Sequence, residues 1–275
     1  MKVAITLSLT VAALALAGPA YAQSDDDQWD GLYVGGSIGL AAQNNDRGET
    51  LVFDTNGDGT YGDTVNIVAP ANAFSPGFCN GGATGTANID CRGDRDGLEY
   101  NGRVGYDVQN GNIVYGFLVE GGKSNARDYV SGFSTTPAYY SFSRELDWSV
   151  GARARAGYAA GGALFYATGG VNYGKIDNRF TTSNGVNAFS DNGSTKSWGY
   201  SAGGGAEVKI LPNLSMGVEY LFTRYNDDKY TVAVGPGTAP PTNPFLIANP
   251  AGTSIKRSDS NFDTHNIRLT AAFRF

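Results

Sequence analysis

The chain is poor in the side chains that carry most enzymatic acid–base and metal chemistry. Its 275 residues include a single histidine, His265, and two cysteines, Cys79 and Cys91. One histidine leaves little scope for imidazole catalysis. The formal net charge of −6 and the scattered basic residues argue against a nucleic-acid ligand, which usually demands a basic stripe. We therefore expect no catalytic activity, no cofactor and no nucleic-acid partner.

Long apolar runs are also missing after the N-terminus. Lys2 precedes an apolar run at 3–17, and Ala20-Tyr21-Ala22 fits a small-x-small cleavage site. We predict a secretory signal peptide at 1–22, a short segment at 23–30 and one domain at 31–275. No cysteine sits at the cut, which argues against a lipoprotein anchor. No later stretch approaches the ~20 apolar residues of a membrane helix.

The remaining sequence alternates polar and apolar residues with the period of β-strands. The dipeptides Asn110-Gly111 and Gly161-Gly162 and the tripeptide Leu211-Pro212-Asn213 mark short turns. Short turns at 109–112, 159–162 and 210–213 alternate with long loops, to which we assign no strand, at 42–96, 122–140, 176–196 and 225–260. The eight predicted strands lie at about 31–40, 98–108, 113–123, 141–158, 163–175, 197–209, 214–224 and 262–275. The facing of the fifth strand is ambiguous, because both of its phases are apolar or aromatic.

The polarity of the two strand faces distinguishes a barrel from a soluble sandwich. One face carries Leu, Val, Ile and aromatic residues, and the other carries nearly balanced charges. A closed eight-stranded barrel can bury such charges as mutual pairs and leaves no strand edge in lipid. We predict an all-β, eight-stranded, antiparallel up-and-down transmembrane barrel with short periplasmic turns and long extracellular loops. The predicted interior charges are Glu99, Arg103, Asp107, Glu120, Glu145, Asp147, Arg153, Arg155, Glu207, Lys209, Glu219, Arg268 and Arg274.

Three segments carry patterns similar to those of one known family. Leu146-Asp147-Trp148-Ser149-Val150, continuing through Arg153, Arg155, Gly157 and Tyr158, is similar to that family's fourth-strand signature. Tyr166-Ala167-Thr168-Gly169-Gly170-Val171 is similar to its fifth. The terminal Phe273-Arg274-Phe275 resembles its assembly signal, carried by Phe273 and Phe275. The family is the small outer-membrane β-barrel proteins often labelled "porin family". The resemblance covers about 28–275 and implies a structural or surface role in the outer membrane.

The two cysteines lie in the first long loop. Export implies an oxidising compartment, so we predict a disulfide between Cys79 and Cys91. Two free thiols or a metal site are the alternatives. In the same loop Arg92-Gly93-Asp94 spells an adhesion tripeptide, but three-residue matches also arise by chance.

A calcium-loop pattern also begins in the first loop. Asp54, Asn56 and Asp58 have the spacing of the first ligands, followed by Gly59. The twelfth position, which should hold a carboxylate, is Val65, and Asp63 is the nearest substitute. A turn-rich acidic loop is the favoured interpretation, and calcium binding is the alternative.

These features predict a surface-exposed structural protein of the bacterial outer membrane. The alternative is a narrow channel for ions or small solutes, and the third hypothesis is an enzyme acting on envelope lipids. Such an enzyme would need His265, which points outward by parity with Phe275. Expected partners are outer-membrane lipids, lipopolysaccharide and, through the last strand, the barrel-assembly machinery. The sequence ends on a barrel strand, so we expect no peptidoglycan-binding domain.

Overall fold

The computed structural model describes residues 28–43 and 48–275. The predicted signal peptide and most of the segment 23–30 lie outside these ranges. No helix in the described residues is long and apolar enough to cross a membrane. The strands, in chain order, are β1 Gly31–Gln43, β2 Leu51–Asp54, β3 Phe78–Cys79, β4 Gly82–Ala83, β5 Cys91–Arg92, β6 Gly97–Asn110, β7 Ile113–Ser124, β8 Arg127–Ser134, β9 Ala138–Ala160, β10 Ala163–Thr182, β11 Ala188–Asp191, β12 Thr195–Leu211, β13 Leu214–Asn226, β14 Val232–Gly235, β15 Thr253–Arg257 and β16 Asn261–Arg274.

Eight long strands close into a ring. Strand β1 pairs with both β6 and β16, and the ring continues through β7, β9, β10, β12 and β13. All eight pairings are antiparallel. When only these eight strands are counted, each pairing joins consecutive strands, apart from the closing β1–β16 pair. The predicted eight-stranded up-and-down barrel is confirmed.

Tight turns join the strands at one end of the barrel. Gly111 and Gly161 occupy these turns with φ of 59° and 58°, in the left-handed region that glycine tolerates without steric cost. At the other end the connections are long. The fifth barrel strand, β10, faces Leu164 and Tyr166 inward and Phe165 outward, which settles the facing that its sequence leaves ambiguous.

A β-bulge in β9 shifts the alternation predicted for the fourth barrel strand. Lys175 of β10 pairs with Trp148, but the next residue, Ile176, pairs with Leu146, so Asp147 is the extra residue. Because one added residue reverses the side-chain phase beyond it, Leu146 turns inward against Ile176. The prediction that Glu145 and Asp147 are interior charges is therefore wrong. Both are partly exposed on the outer face.

The long connections build a folded cap over one end of the barrel. We define the cap as residues 48–96, 125–143, 178–194 and 227–260. A four-stranded sheet, in the order β11-β14-β15-β2, takes β2 from the first loop, β11 from the third and both β14 and β15 from the fourth. The sequence-based prediction assigns no strand to these loops and is therefore incomplete here. Short alternating runs such as Leu51-Val52-Phe53 and Val232-Ala233-Val234 supply these strands.

The cap has its own apolar core. Aromatic rings from separate segments meet there, with Phe74 4.5 Å from Phe53 and Tyr140 5.5 Å from Phe245 between centroids. The upper end of β9 contributes Tyr140, which ties the cap to the barrel wall. The core contains Leu51, Phe53, Val65, Ala73, Phe74, Val130, Ala138, Tyr140, Phe142, Tyr230, Val232, Val234, Phe245 and Ile255.

Candidate functional site

The barrel interior contains a dense set of buried charged side chains. Ten of the thirteen predicted interior charges lie inside the barrel with less than 9% exposure, five acidic and five basic. They are Glu99, Arg103, Asp107, Glu120, Arg153, Arg155, Glu207, Glu219, Arg268 and Arg274. Lys209 is half-buried near the turn end, where its Nζ lies 5.6 Å from the Trp29 ring centroid. Glu145 and Asp147 are the two outer-face residues displaced by the bulge.

An upper interior cluster, nearer the cap, combines three carboxylates with three guanidiniums. Arg153 Nη2 donates to Glu120 Oε2 at 2.8 Å and to Glu219 Oε1 at 3.1 Å. Arg268 Nη1 donates to Glu120 Oε1 at 3.0 Å, and Arg268 also pairs with Glu99. Arg103 Nη2 lies 3.5 Å from Glu219 Oε1. The cluster is formally neutral, and its members come from β6, β7, β9, β13 and β16.

A lower cluster, nearer the turns, contains two charges of each sign. Arg155 donates from Nε to Asp107 Oδ1 at 2.8 Å and from Nη1 to Glu207 Oε1 at 2.9 Å. Arg274 Nη2 donates to the same Asp107 carboxylate at 2.8 Å. The Tyr33 ring is contacted by both guanidiniums, at 4.8 Å from Arg155 and 4.9 Å from Arg274. Pairing of this kind compensates charges that would be very costly to bury alone.

Aromatic side chains complete the filling of the barrel. Tyr166 donates its hydroxyl to Glu219 Oε2 at 3.0 Å, and the Arg155 guanidinium lies 5.1 Å from its ring. Tyr166 therefore links the two clusters. Trp29 is fully buried at the turn end, packed against Leu164 and Val114. Sequence reasoning missed Trp29 and Tyr166, and a large aromatic directly before β1 is the signal that could have identified the first.

The filled interior leaves almost no water-accessible space at the level of the upper cluster. The side chains of Arg153 and Glu219 are 0% exposed. A pore wide enough to admit water at this level would expose them. A cavity of ≈ 20 Å³ lies just above, lined by Asn101, Ser149 and Asn172 among others. That volume holds about one water molecule. The lumen is therefore closed by side chains at this level.

A third charged cluster lies at the junction of barrel and cap. Arg257 donates to both oxygens of Glu49, at 2.6 and 2.7 Å, and to Asp128 Oδ1 at 2.6 Å. Arg144 Nε donates to the other Asp128 oxygen at 2.7 Å. Burial raises the pKa of Glu49, and the charge of Arg257 opposes that shift.

The predicted disulfide residues are joined in the structure. Cys79 and Cys91 form a disulfide with a Cα–Cα distance of 6.5 Å, linking β3 to β5 within the cap. The adjacent Arg-Gly-Asp tripeptide is engaged with the cap. Asp94 Oδ1 accepts the Tyr129 N–H at 2.8 Å, and the Arg92 guanidinium lies 5.6 Å from the Tyr129 ring. Burial, followed by repulsion from Asp128, raises the pKa of Asp94 to about 7.

The residues of the calcium-loop pattern form a hydrogen-bonded turn. Asp54 accepts the N–H groups of Gly57 at 2.7 Å and Gly59 at 2.9 Å. Asp63 Oδ2 accepts from both the N–H and the hydroxyl of Thr55, at 2.8 and 2.9 Å. Asp58 accepts from Asn56 Nδ2 at 3.1 Å. Within 28–43 and 48–275 the chain brings no three His, Cys, Asp or Glu side chains together as metal ligands.

The outer face of the barrel is apolar between two aromatic bands. Near the cap, rings from β9 round to β16 contact one another in sequence: Trp148, Tyr173 and Trp198, then Tyr200, Phe222 and His265. Near the turns lie Tyr106, Tyr115, Tyr158, Phe165, Phe273 and Phe275. Trp148 and Tyr158 are ten residues apart on β9, roughly 33 Å along a strand. With the usual tilt this corresponds to an apolar band about 25 Å tall.

His265 belongs to the upper aromatic band. A 2.7 Å hydrogen bond joins its Nδ1 to the Tyr220 hydroxyl, and its ring centroid lies 5.2 Å from that of Phe222. At the opposite end of β16, Phe273 pairs with Val34 across β1, and the Phe275 N–H donates to the Leu32 carbonyl at 2.9 Å. The last strand is thereby bonded to the first.

This closed, apolar-faced barrel matches a known family over nearly its whole length. The profile of the outer membrane protein beta-barrel domain covers residues 8–275. The chain belongs to this family. It is an integral protein of the bacterial outer membrane, with its turns in the periplasm and its cap outside the cell. The apolar band is the surface that faces lipid.

Relatives and a solved structure agree with this assignment. A 22 kDa outer membrane protein of Rhizobium leguminosarum bv. viciae is 32% identical over 171 residues, 61% of this chain and 72% of the relative. A 25 kDa outer-membrane immunogenic protein of Brucella abortus biovar 1 is 26% identical over 62% of this chain, which spans 63% of that relative. OprG from Pseudomonas aeruginosa has the same fold, with a TM-score of 0.50 at 10% identity over 90% of this chain and 97% of its own.

Proposed function

We propose that this outer-membrane barrel has a structural and surface-exposed role in the cell envelope, without catalysis or conduction. The observation that carries the proposal is the closed lumen, in which Arg153 and Glu219 are fully buried between paired charges. A channel requires a hydrated path, and a layer of mutually bonded side chains obstructs one. The narrow-channel alternative is disfavoured for the same reason.

The surface of the barrel supports lipid partners. Exposed aliphatic side chains such as Ile38, Val104 and Leu269 form the band that contacts acyl chains. We propose that outer-membrane lipids, lipopolysaccharide included, are its immediate neighbours. We also propose that the assembly machinery recognises β16, because Phe273 and Phe275 lie on its outward face at the terminus.

The absence of catalysis is supported by the setting of the single histidine. His265 bonds to Tyr220 and contacts Phe222, and such an aromatic setting suits an interfacial anchor. A His265→Ala strain should keep the lipid A composition of the wild type. A changed composition, restored by the wild-type gene, would contradict the non-catalytic proposal.

A deletion strain tests the envelope role directly. We expect loss of the protein to increase sensitivity to detergent and to large antibiotics, because a filled barrel and a compact cap contribute to the barrier. Uptake of small solutes should stay unchanged, and the wild-type gene should restore resistance. Slower solute uptake with an intact detergent barrier would favour the channel instead.

A further inference from the structure

Charged side chains lie on the outer wall of the barrel directly above the upper aromatic band, from β7 round to β12. We call them the wall patch. Five positive and three negative charges leave this patch with a formal charge of +2, whereas the whole chain carries −6. The basic residues of the patch are Lys123, Arg127, Lys175, Arg179 and Lys196, and the acidic ones are Glu145, Asp147 and Asp177.

The strand register places the wall patch at the level of the lipid headgroups. Tyr173 pairs with Trp198 across β10 and β12, and both rings belong to the upper aromatic band. Lys175 pairs with Lys196 two residues nearer the cap, roughly 7 Å along the strand. Because aromatic bands mark the boundary of the apolar layer, the lysines lie among the phosphates and sugars of the outer leaflet.

The three carboxylates of the wall patch are already engaged with three of its cations. All of these side chains are partly exposed, so the pairs remain open to exchange with another ligand. The contacts are Lys123 Nζ to Asp147 at 3.4 Å, Lys175 Nζ to Asp147 and to Asp177 at 2.9 Å each, and Arg127 Nε to Glu145 at 2.7 Å.

Two cations of the wall patch are left over. Arg179 and Lys196 are exposed, and neither has an ion-pair partner within 28–43 and 48–275. Lys196 stands directly opposite Lys175 in the sheet, and like charges in this position destabilise strand pairing. An anion bound beside Lys196 and Lys175 would offset that repulsion. The patch therefore has the charge and the open cations that suit an anionic ligand.

A cavity of ≈ 370 Å³ adjoins the patch on the side of β6 and β1. Its basic wall includes Lys123, Arg127 and Arg179, and its apolar wall includes Leu98 and Ile38, which are more than half exposed. The volume equals the share of liquid occupied by about twelve water molecules, more than a phosphate group needs. Cations and aliphatic side chains thus border the same space.

A buried carboxylate at the edge of this cavity does not change its charge balance. Glu99 also lines the cavity, but it is 5% exposed and its Oε2 accepts from Arg268 Nη2 at 3.2 Å inside the barrel. Its negative charge is therefore compensated on the lumen side. The outward-facing charges are those of the wall patch.

We propose that the wall patch binds the phosphorylated headgroup of lipid A, the membrane-embedded part of lipopolysaccharide. Phosphate oxygens accept from Lys196 and Arg179, and the acyl chains lie along Leu98, Ile38 and the aromatic band below. A zwitterionic lipid would bring its own ammonium group against a net positive surface. The inference rests on the proposed lipid contact of the barrel and deepens it by naming the headgroup and its site.

Titration of the full, detergent-folded protein with lipid A tests the proposal. Tryptophan fluorescence reports on the site, because Trp148 and Trp198 both contact Tyr173 below the patch. We expect lipid A to bind about tenfold or more tightly than lipid A stripped of its phosphates. Inorganic phosphate should not compete at equal concentration, since it makes no apolar contact.

The outcomes separate this site from the general lipid contact. Equal affinity for lipid A and its dephosphorylated form would overturn the headgroup site and leave the lipid contact standing. Inorganic phosphate that binds as tightly as lipid A would also overturn it, since the patch would then hold a free anion. No binding of lipid A in either form would contradict both the site and the proposed lipopolysaccharide contact.

Variants assign the binding to these cations. Lys196→Gln and Arg179→Gln should each weaken lipid A binding about fivefold, and neither leaves a carboxylate unpaired. Lys256→Gln, the same charge change on β15 in the cap, should leave the affinity unchanged. Asp177→Asn should tighten binding about two- to fivefold, because it frees Lys175. Wild-type affinity in the Lys196→Gln, Arg179→Gln double variant, with normal heat-modifiability, would refute the site.

Discussion

Glu219 is the residue whose replacement should most disturb the barrel interior. Its side chain is fully buried, accepts from Arg153 and Tyr166, and lies 3.5 Å from Arg103. Glu219→Gln preserves the volume but removes one of three negative charges that balance three guanidiniums. Breaking a buried pair in this way costs about 3–5 kcal/mol. We therefore expect the free energy of unfolding to fall by that amount.

A second change should recover part of the loss. Glu219 is the acidic partner that Arg103 has in the described barrel, so Arg103→Met in the Glu219→Gln background restores neutrality. The double variant should be more stable than Glu219→Gln by about 1–3 kcal/mol, the usual size of coupling between contacting residues. A stability gain from removing a native arginine has no simple explanation if the interior is hydrated.

The assay is denaturant unfolding of the lipid-reconstituted protein, followed by tryptophan fluorescence and by heat-modifiable gel migration. Lys123→Gln is the matched control. It breaks an outer-face pair with Asp147 at 3.4 Å, in which Lys123 is 52% exposed, and should cost less than about 1 kcal/mol. If Glu219→Gln and Lys123→Gln cost the same small amount, the interior charges are solvated and the reasoning fails.

Three further outcomes are expected. Removing the disulfide by Cys79→Ser and Cys91→Ser should destabilise the cap by about 3 kcal/mol, the value expected for a loop closed by cysteines 12 residues apart. Proteolysis of the cap should become faster, and the barrel fragment should be unchanged. Because the folded-state pKa of Asp94 is raised to about 7, its stabilising contribution is complete below pH ~4 and is lost as the pH rises through 7. Proteolysis of the cap should therefore be faster at pH 8 than at pH 5, and Asp94→Asn should reduce that difference; a pH-independent rate would contradict the shift. Trp29→Ala should cost about 3–5 kcal/mol by leaving a cavity at the turn end, measured by denaturant unfolding, and a loss below 1 kcal/mol would show that Trp29 does not fill the barrel.

The barrel strands could be predicted from sequence because lipid and lumen impose opposite polarity on alternate residues. Val104, for instance, faces lipid, and Arg103 beside it faces a filled interior. The bulge at Asp147 could not be predicted in this way. A single inserted residue leaves the polar–apolar alternation intact on both sides of it. The sequence alone therefore does not show which of Leu146 and Glu145 faces the lumen, and the pairing with β10 decides this.

The cap sheet could not be predicted from short stretches of sequence, for a different reason. Its sheet joins β2 near residue 53 to β15 near residue 255, so no short window contains both partners. Each strand has four or five residues, too few for a clear period.

Single-channel recording in planar bilayers tests the closed lumen most directly. The purified, folded protein would be inserted and recorded in concentrated potassium chloride, with a known porin as the positive control. We expect insertion without defined conductance steps, because the Arg153–Glu219 layer leaves no hydrated path. Uniform, reproducible steps from protein with wild-type heat-modifiability would contradict the filled barrel and would favour a channel.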